Sequence, residues 1–530
     1  MRGGASKDRS GASAAGALPA ELVKTIASFL AAHPAAAVLE DGRVLFDLRT
    51  ARCTVEEAHG RCLLQLWSEE RNLVRTVVEA KARAESLRLT TRTMGAPRPQ
   101  VLELASTSDR RAPTTRDTAR RNYQRVLERA LVRHFIGSKV EGLRTAMDLE
   151  HSFGPAYVRG RLLQGSGADA VIGVGEGESA AAIDGVLTLG ILWLDYCRRQ
   201  GDARRHYGGL KVVVPADAWR VTAERMAWLN HAAARFELLA LDERSEELAP
   251  IDFRDIGNLE PRLVHAFSGA AALERCKGGL ERILELAPDA ARSRIEVRPH
   301  SATEVGLLLH GLEFAWVRHG ALADTFARQD EVMFGAGGSA TPLTGENEAA
   351  CREALRELFQ RRHADGSHTD PLFRMAPERW LESRLRAALP ELLPELRGDA
   401  VYNQVPAFSS GDRGMLDLLT LDRSGRLTVM ELKANEDLHL PLQALDYWMR
   451  VRALNAEASA FSRGGYFPGE AIAALPPRLL LAAPALRIHP ANEPVLRYLS
   501  PEIEWELLGL SEHWRRELRI VFRKRSGSLD

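Results

Sequence analysis

"GMLDLLTLDRSGRLTVMELKANEDLHLPLQALDYW", residues 414–448, decides how the rest of the chain is read. Two apolar runs, LDLLTL and RLTVMELK, flank DRSG, which suits a type I turn closed by Gly425 in the left-handed region, a three-residue hairpin loop with a bulge. Pairing Asp422 with Arg426 then sets Asp417 directly opposite Glu431, with Cβ atoms roughly 5 Å apart. Lys433 stands two residues beyond Glu431 and projects from the same face. The register of one hairpin therefore brings two carboxylates and an ammonium to one point. The following LPLQALDYW reads as an apolar helix that carries Gln443.

Two neighbouring carboxylates in an apolar sheet both ionise readily only with a cation between them. Hard oxygen ligands of this kind suit Mg²⁺ or Mn²⁺, which keep exchangeable waters and take substrate phosphate as a further ligand. The competing reading is a salt-bridged face on an ordinary hairpin, because Glu-x-Lys is common on strands. Against it, Glu431 lies in the apolar LTVMELK, where charge is costly unless paired or metal-bound.

At 530 residues the chain exceeds what one hydrophobic core organises, so two to four domains are expected. Lys plus Arg and Asp plus Glu are equal at 71 each, so any nucleic-acid surface has to be a local patch. Five cysteines without CxxC or Cys/His spacing point away from zinc and disulfides and toward a reducing compartment. No apolar run approaches the ~20 residues a membrane span needs, so a soluble cytoplasmic protein with no membrane contact is expected.

Residues 1–18 read as a disordered tail and 19–108 as a small α+β module, with a hairpin at Asp41-Gly42 and a helical pattern in EERNLVRTVVEAKARAESL. Residues 106–125 hold six arginines against two aspartates; a solvated linker running into a helix competes with a phosphate-contacting strip. From 115 to 250 helices and strands alternate, which predicts an α/β layer structure with a partly parallel sheet. Residues 251–370 read as a mainly helical connector, with one strand candidate in SRIEVRP. The same alternation starts again at 371 and runs to 530, where VFRKRSGSLD reads as a frayed basic tail.

The two α/β segments share anchors in the same order. RVLERAL (125–131) matches RWLESRL (379–385), Leu-Asp-Tyr occurs at 194–196 and 445–447, and FELLALDE (236–243) matches WELLGLSE (505–512) at five of eight positions. Duplication of one domain explains that order. Laying VIGVG (171–175) on VMELK (429–433) puts Gly173 at Glu431, Gly175 at Lys433 and, fourteen residues back, Arg159 at Asp417. The first copy then lacks the trio. Its Gly173-x-Gly175-x-Gly177 also has the look of a dinucleotide-binding turn, although the spacing is GxGxG rather than GxGxxG.

A helix with Glu382 in RWLESRL, a strand with Asp417 in GMLDLL, Glu431 and Lys433 in VMELK, and a helix with Gln443 form an ordered set. In that set the chain resembles the PD-(D/E)XK nuclease superfamily, in particular the NucS-type and RecB-like nuclease domains. The resemblance covers residues 375–525, with a degenerate echo over 120–245. It implies a restriction-endonuclease-like mixed sheet flanked by helices, present twice. It further implies Mg²⁺ or Mn²⁺ held by Asp417, Glu431 and the backbone carbonyl of Leu432, with Glu382 acting through water and Gln443 positioning water or DNA. Lys433 would orient the attacking water or neutralise charge on the phosphate.

The expected activity is metal-dependent hydrolysis of DNA phosphodiester bonds, by an endonuclease or exonuclease whose first copy serves as scaffold or clamp. Two other readings stand beside it: a non-catalytic nucleic-acid-binding or scaffold protein with a vestigial site, and a nucleotide-sensing module in 120–245. DNA is the expected partner, with a homo-oligomer or a protein partner at the N-terminal module as further possibilities.

Overall fold

The computed structural model describes residues 18–527, apart from 41–42, 50, 59, 69–71, 84–85, 93–98, 107–112, 149–150, 201–204, 257–261, 322–327, 337–339, 410–411 and 457–459. The hairpin tip at Asp41-Gly42 and the start of the arginine strip thus lie outside the described residues. The chain is a mixed α/β protein that divides into two units, residues 1–117 with 333–343, and residues 118–332 with 344–530.

In the first unit, helix Pro19–Ala32 lays Leu22 and Ile26 on one face of a seven-stranded antiparallel sheet. The stretch read as helical, EERNLVRTVVEAKARAESL, instead supplies the sheet strand Asn72–Ala82. Val74, Thr76, Val77 and Val78 are β-branched and lose side-chain freedom in a helix, which favours the strand.

The second unit contains two sheets with one pattern. In the first, the spatial order is Lys139–Arg144, Tyr157–Gln164, Gly167–Val174, His206–Pro215, Arg235–Asp242 and Glu247–Ile251. In the second it is Tyr402–Ser409, Asp412–Leu421, Leu427–Leu432, Arg478–Pro484, Trp505–Leu510 and Ile520–Arg525, with Arg262–Leu263 added at one edge. Both sheets pair antiparallel, antiparallel, parallel, parallel, antiparallel along that order. A helix crosses from the third strand to the fourth in each, Ala180–Gln200 and Leu440–Ala456. These helices and the inner faces of both sheets share a single core, in which Ile172, Val212, Leu187, Val429, Leu481 and Trp448 are buried together. Ala180–Gln200 is the one described helix long and apolar enough to cross a membrane, and it is mostly buried in that core. Behind the second sheet, helix Pro377–Leu392 packs Trp380, Leu381 and Leu385 against Leu418, Met430 and Leu432.

Two sequence expectations for this unit are corrected. The connector is not mainly helical, because Ile295–Ser301, Glu304–Leu309 and Leu312–Ala321 form an antiparallel meander. Its second hairpin turns on His310 and Gly311, both with positive φ (48° and 74°), the two-residue geometry that joins twisted strands directly. The basic C-terminal stretch is not a frayed tail either: Ile520–Arg525 is an edge strand, with Arg523 and Arg525 paired to buried Glu506 at 3.3 and 3.4 Å.

Candidate metal and phosphate site

The turn DRSG forms as its chemistry requires. Asp422 N–H donates to the Arg426 carbonyl (2.9 Å), and Gly425 N–H donates to the Asp422 carbonyl (3.0 Å). Asp422 Oδ1 accepts from the backbone N–H groups of Ser424 and Arg426. Gly425 has φ +83°, and a Cβ there would meet the Ala471 carbonyl. Gly425→Ala is therefore expected to lower unfolding free energy by more than about 2 kcal/mol, the left-handed penalty plus a backbone clash, read from the denaturant midpoint.

From this turn the ladder runs Leu421 to Leu427, Thr420 to Thr428, Leu419 to Val429 and Leu418 to Met430. Asp417 and Glu431 follow as the next residues of the two strands, and their carboxyls meet. There the Asp417 carboxylate takes over from the backbone, accepting from Leu432 N–H at 3.0 Å. Glu431 is 3% exposed. Its Oε1 meets Lys433 Nζ at 3.2 Å, and its Oε2 is buried with no hydrogen-bond partner among the described residues. Lys433 also reaches Asp437 at 3.8 Å.

The electrostatics follow from burial. Glu431 is pushed well above the usual carboxylate range by loss of water and then by the charge of Asp417. Burial raises Asp417 as well, opposed by the Leu432 N–H and the Lys433 charge. For Lys433, burial favours the neutral amine, but Glu431 and Asp437 outweigh it and keep the ammonium.

Gln443 sits on the helix that follows, and its Oε1 is a second buried acceptor without a partner among the described residues. One turn along, Tyr447 has its phenol pushed up by burial and then by the charges of Glu431 and Asp417. In the sequence Tyr447 stands out only within the repeated Leu-Asp-Tyr, and its four-residue spacing from Gln443 is the signal of a shared helix face. The charge of Arg379, also unforeseen, acts on Asp417.

Glu382 is held differently from the others. It is buried, and its Oε1 accepts from Arg298 Nη1 at 3.1 Å. Arg298 comes from strand Ile295–Ser301, so the connector supplies a counter-charge for this glutamate. Arg386, one helical turn along, binds Glu296 at 2.6 Å.

In the first sheet the strand register places Ile172 opposite Arg159 and beside Val212. In the second, Glu431 lies beside Leu481. Counting back from Pro215 and Pro484, Val212 and Leu481 hold the same position. Ile172 and Val174 therefore stand where Glu431 and Lys433 stand, one residue away from the Gly173 and Gly175 expected, while Arg159 keeps the Asp417 position. The shift has a packing cause: Gly173 belongs to the opposite face, where a Cβ would lie 2.6 Å from Tyr123 Oη. Gly175 likewise makes room for the Tyr123 ring. The Glu243 carboxylate accepts from Glu176 N–H at 2.6 Å, so an acidic group already occupies an amide that a nucleotide phosphate would need. In the arginine strip, Arg120 is paired with Glu178 at 2.6 Å.

Among the described residues no cluster of three or more His, Cys, Asp and Glu is arranged to hold a metal ion. The trio offers two carboxylates, a number that suits an ion which keeps several waters. Comparison with protein-family models gave no match, and comparison with curated proteins gave none.

Proposed function

We propose that this protein is a Mg²⁺- or Mn²⁺-dependent nuclease that hydrolyses phosphodiester bonds of DNA, with Asp417, Glu431 and Lys433 at the centre of its site. On this reading the two sheets of the second unit are two copies of one PD-(D/E)XK-type core. Only the later copy keeps the reactive set.

The observation that carries the reading is the meeting of two carboxyls at the strand ends: buried Glu431 Oε2 has no protein donor among the described residues, and the Asp417 carboxyl next to it can satisfy it only by sharing a proton. Leaving such a group unmatched costs on the order of 1–3 kcal/mol, more when it is charged, and a divalent cation removes that cost. The donors fit a hard ion: Asp417 and Glu431 would hold it, with the Leu432 carbonyl as a further ligand. When bound, it would neutralise phosphate charge and acidify a water.

The remaining chemistry belongs to the chain. Lys433 keeps its proton, so it serves as a cation that holds the attacking water or the phosphate oxygen rather than as a base. Gln443 offers an acceptor for a water hydrogen, and the protonated Tyr447 phenol offers a donor beside it.

The test incubates purified protein with single-stranded, duplex, branched and mismatched DNA, with Mg²⁺, Mn²⁺ or chelator. Metal-dependent cutting of at least one substrate is expected. Lys433→Ala should slow it by about 10²–10³-fold, the loss expected for a group stabilising transition-state charge. A wild type that cuts nothing, or a variant that cuts equally well, overturns the proposal. Tight metal-independent binding without cutting would instead identify a non-catalytic DNA-binding protein.

A further inference from the structure

We propose that the first copy is the positioning half of the later copy's site, acting through Thr188 and Arg225, an inference that rests on the nuclease reading above. Neither residue is near enough in sequence to be associated with the trio, and the first copy carries none of the trio itself. Yet both side chains grip the segment 433–447, which bears Lys433, Gln443 and Tyr447.

The first grip is at His439. Its Nδ1 lies 3.1 Å from Thr188 Oγ1, on helix Ala180–Gln200 of the first copy. The ring is seated on Gly185, one turn earlier, where a Cβ would come within 2.7 Å of His439 Cε1. On the other side, His439 N–H donates to Asp437 Oδ1 at 2.8 Å, and Asp437 Oδ2 faces Lys433 Nζ at 3.8 Å. The His439 carbonyl accepts from Gln443 N–H at 3.0 Å. Thr188 holds the ring of His439, whose backbone N–H and carbonyl in turn bond Asp437, which faces Lys433, and the first turn of the helix bearing Gln443.

The second grip is at Asp446. Arg225 Nε and Nη2 donate to its two carboxylate oxygens at 2.8 and 2.7 Å, while Nη1 donates to the Asp184 carbonyl at 2.6 Å. Arg225 is buried, so this two-pronged ion pair is shielded from water. The corresponding Asp195 of the first copy is paired with the exposed Arg199 on its own helix. Among the described residues, the buried clasp is on the helix of the copy that keeps the trio. His439 and Asp446 bracket Gln443 by about one turn on each side, and Tyr447 follows directly. Together they fix how far Gln443 and Tyr447 reach toward Asp417 and Glu431.

Thr188 and Arg225 touch neither substrate nor metal on this account, so their loss should lower kcat and leave KM for DNA unchanged. Thr188→Val keeps shape and removes the hydroxyl; Thr188→Ser keeps the hydroxyl. Arg225→Lys keeps the charge and loses the two-pronged geometry. Steady-state cleavage of the preferred DNA and thermal unfolding are measured on all four full-length proteins. The expected result is a fall in kcat of about tenfold or more for Thr188→Val and Arg225→Lys with KM near wild type, Thr188→Ser close to wild type in both, and a lower melting temperature for Arg225→Lys alone, whose buried carboxylate partner loses its two-pronged bond. If the wild type cuts and these variants cut as fast, the positioning role is wrong. If Thr188→Ser fails as badly as Thr188→Val, the hydroxyl is not what matters, and the inference also falls. A wild type that cuts nothing overturns the nuclease reading, and this inference with it.

Discussion

Glu431→Gln is expected to abolish metal-dependent cleavage and at the same time to stabilise the metal-free protein at neutral pH. The side chain is buried, one oxygen has no partner among the described residues, and Asp417 adds like charge. Its folded pKa is raised above the unfolded value, so in the interval between them the folded state holds a proton that the unfolded state has released. Stability then falls as pH rises from about 4.3 toward the folded pKa. The neutral amide is isosteric and removes this dependence. The variant should therefore match wild type near pH 4 and lose less stability than wild type as the pH is raised to 7. Thermal unfolding across pH in chelator checks this. A destabilised variant at pH 7 would mean that the carboxylate is a structural ion-pair partner of Lys433. Added Mn²⁺ should reverse the order by stabilising the wild type alone.

The second large effect concerns the connector. Arg362 is fully buried and is satisfied only by carbonyls: Leu309 at 3.1 Å, Leu372 at 2.6 Å, and Met375 and His310 each at 2.7 Å. Its guanidinium lies 4.5 Å from the centre of the Trp380 ring, on the helix that backs the candidate site. Burial lowers its pKa to about 9, so it remains charged at neutral pH. Arg362→Met fills similar volume but takes one donor away from each of four carbonyls, of which those of Leu309 and Leu372 are buried. A loss of about 3–5 kcal/mol is expected, in the range for breaking a buried polar network. Denaturant unfolding measures it, and a loss under about 1 kcal/mol would mean that water or relaxation replaces the guanidinium.

What could be foreseen from the sequence depended on how local each determinant was. Asp422 and Gly425 make a turn with one compatible register, so the meeting of Asp417, Glu431 and Lys433 was legible. The alternation of apolar strands and helices likewise predicted both mixed sheets. Asn72–Ala82 was misread because its charged end imitates a helical pattern while its β-branched residues favour a strand. The connector hairpin was missed because EVGLLL and LEFAWV are short apolar runs whose period does not discriminate, and the His310-Gly311 turn lacks the usual Asn or Asp. The partner of Glu382 could not be seen at all, since Arg298 lies 84 residues away. The same holds for Thr188 and Arg225, whose partners are 251 and 221 residues distant.

The central claim is that Asp417 and Glu431 form a site for a divalent cation. Calorimetric titration of Mn²⁺ into metal-free wild type and into Glu431→Gln tests it most directly. Saturable binding to the wild type that is lost in Glu431→Gln is expected. Equal binding by wild type and Glu431→Gln, or none by either, would contradict it.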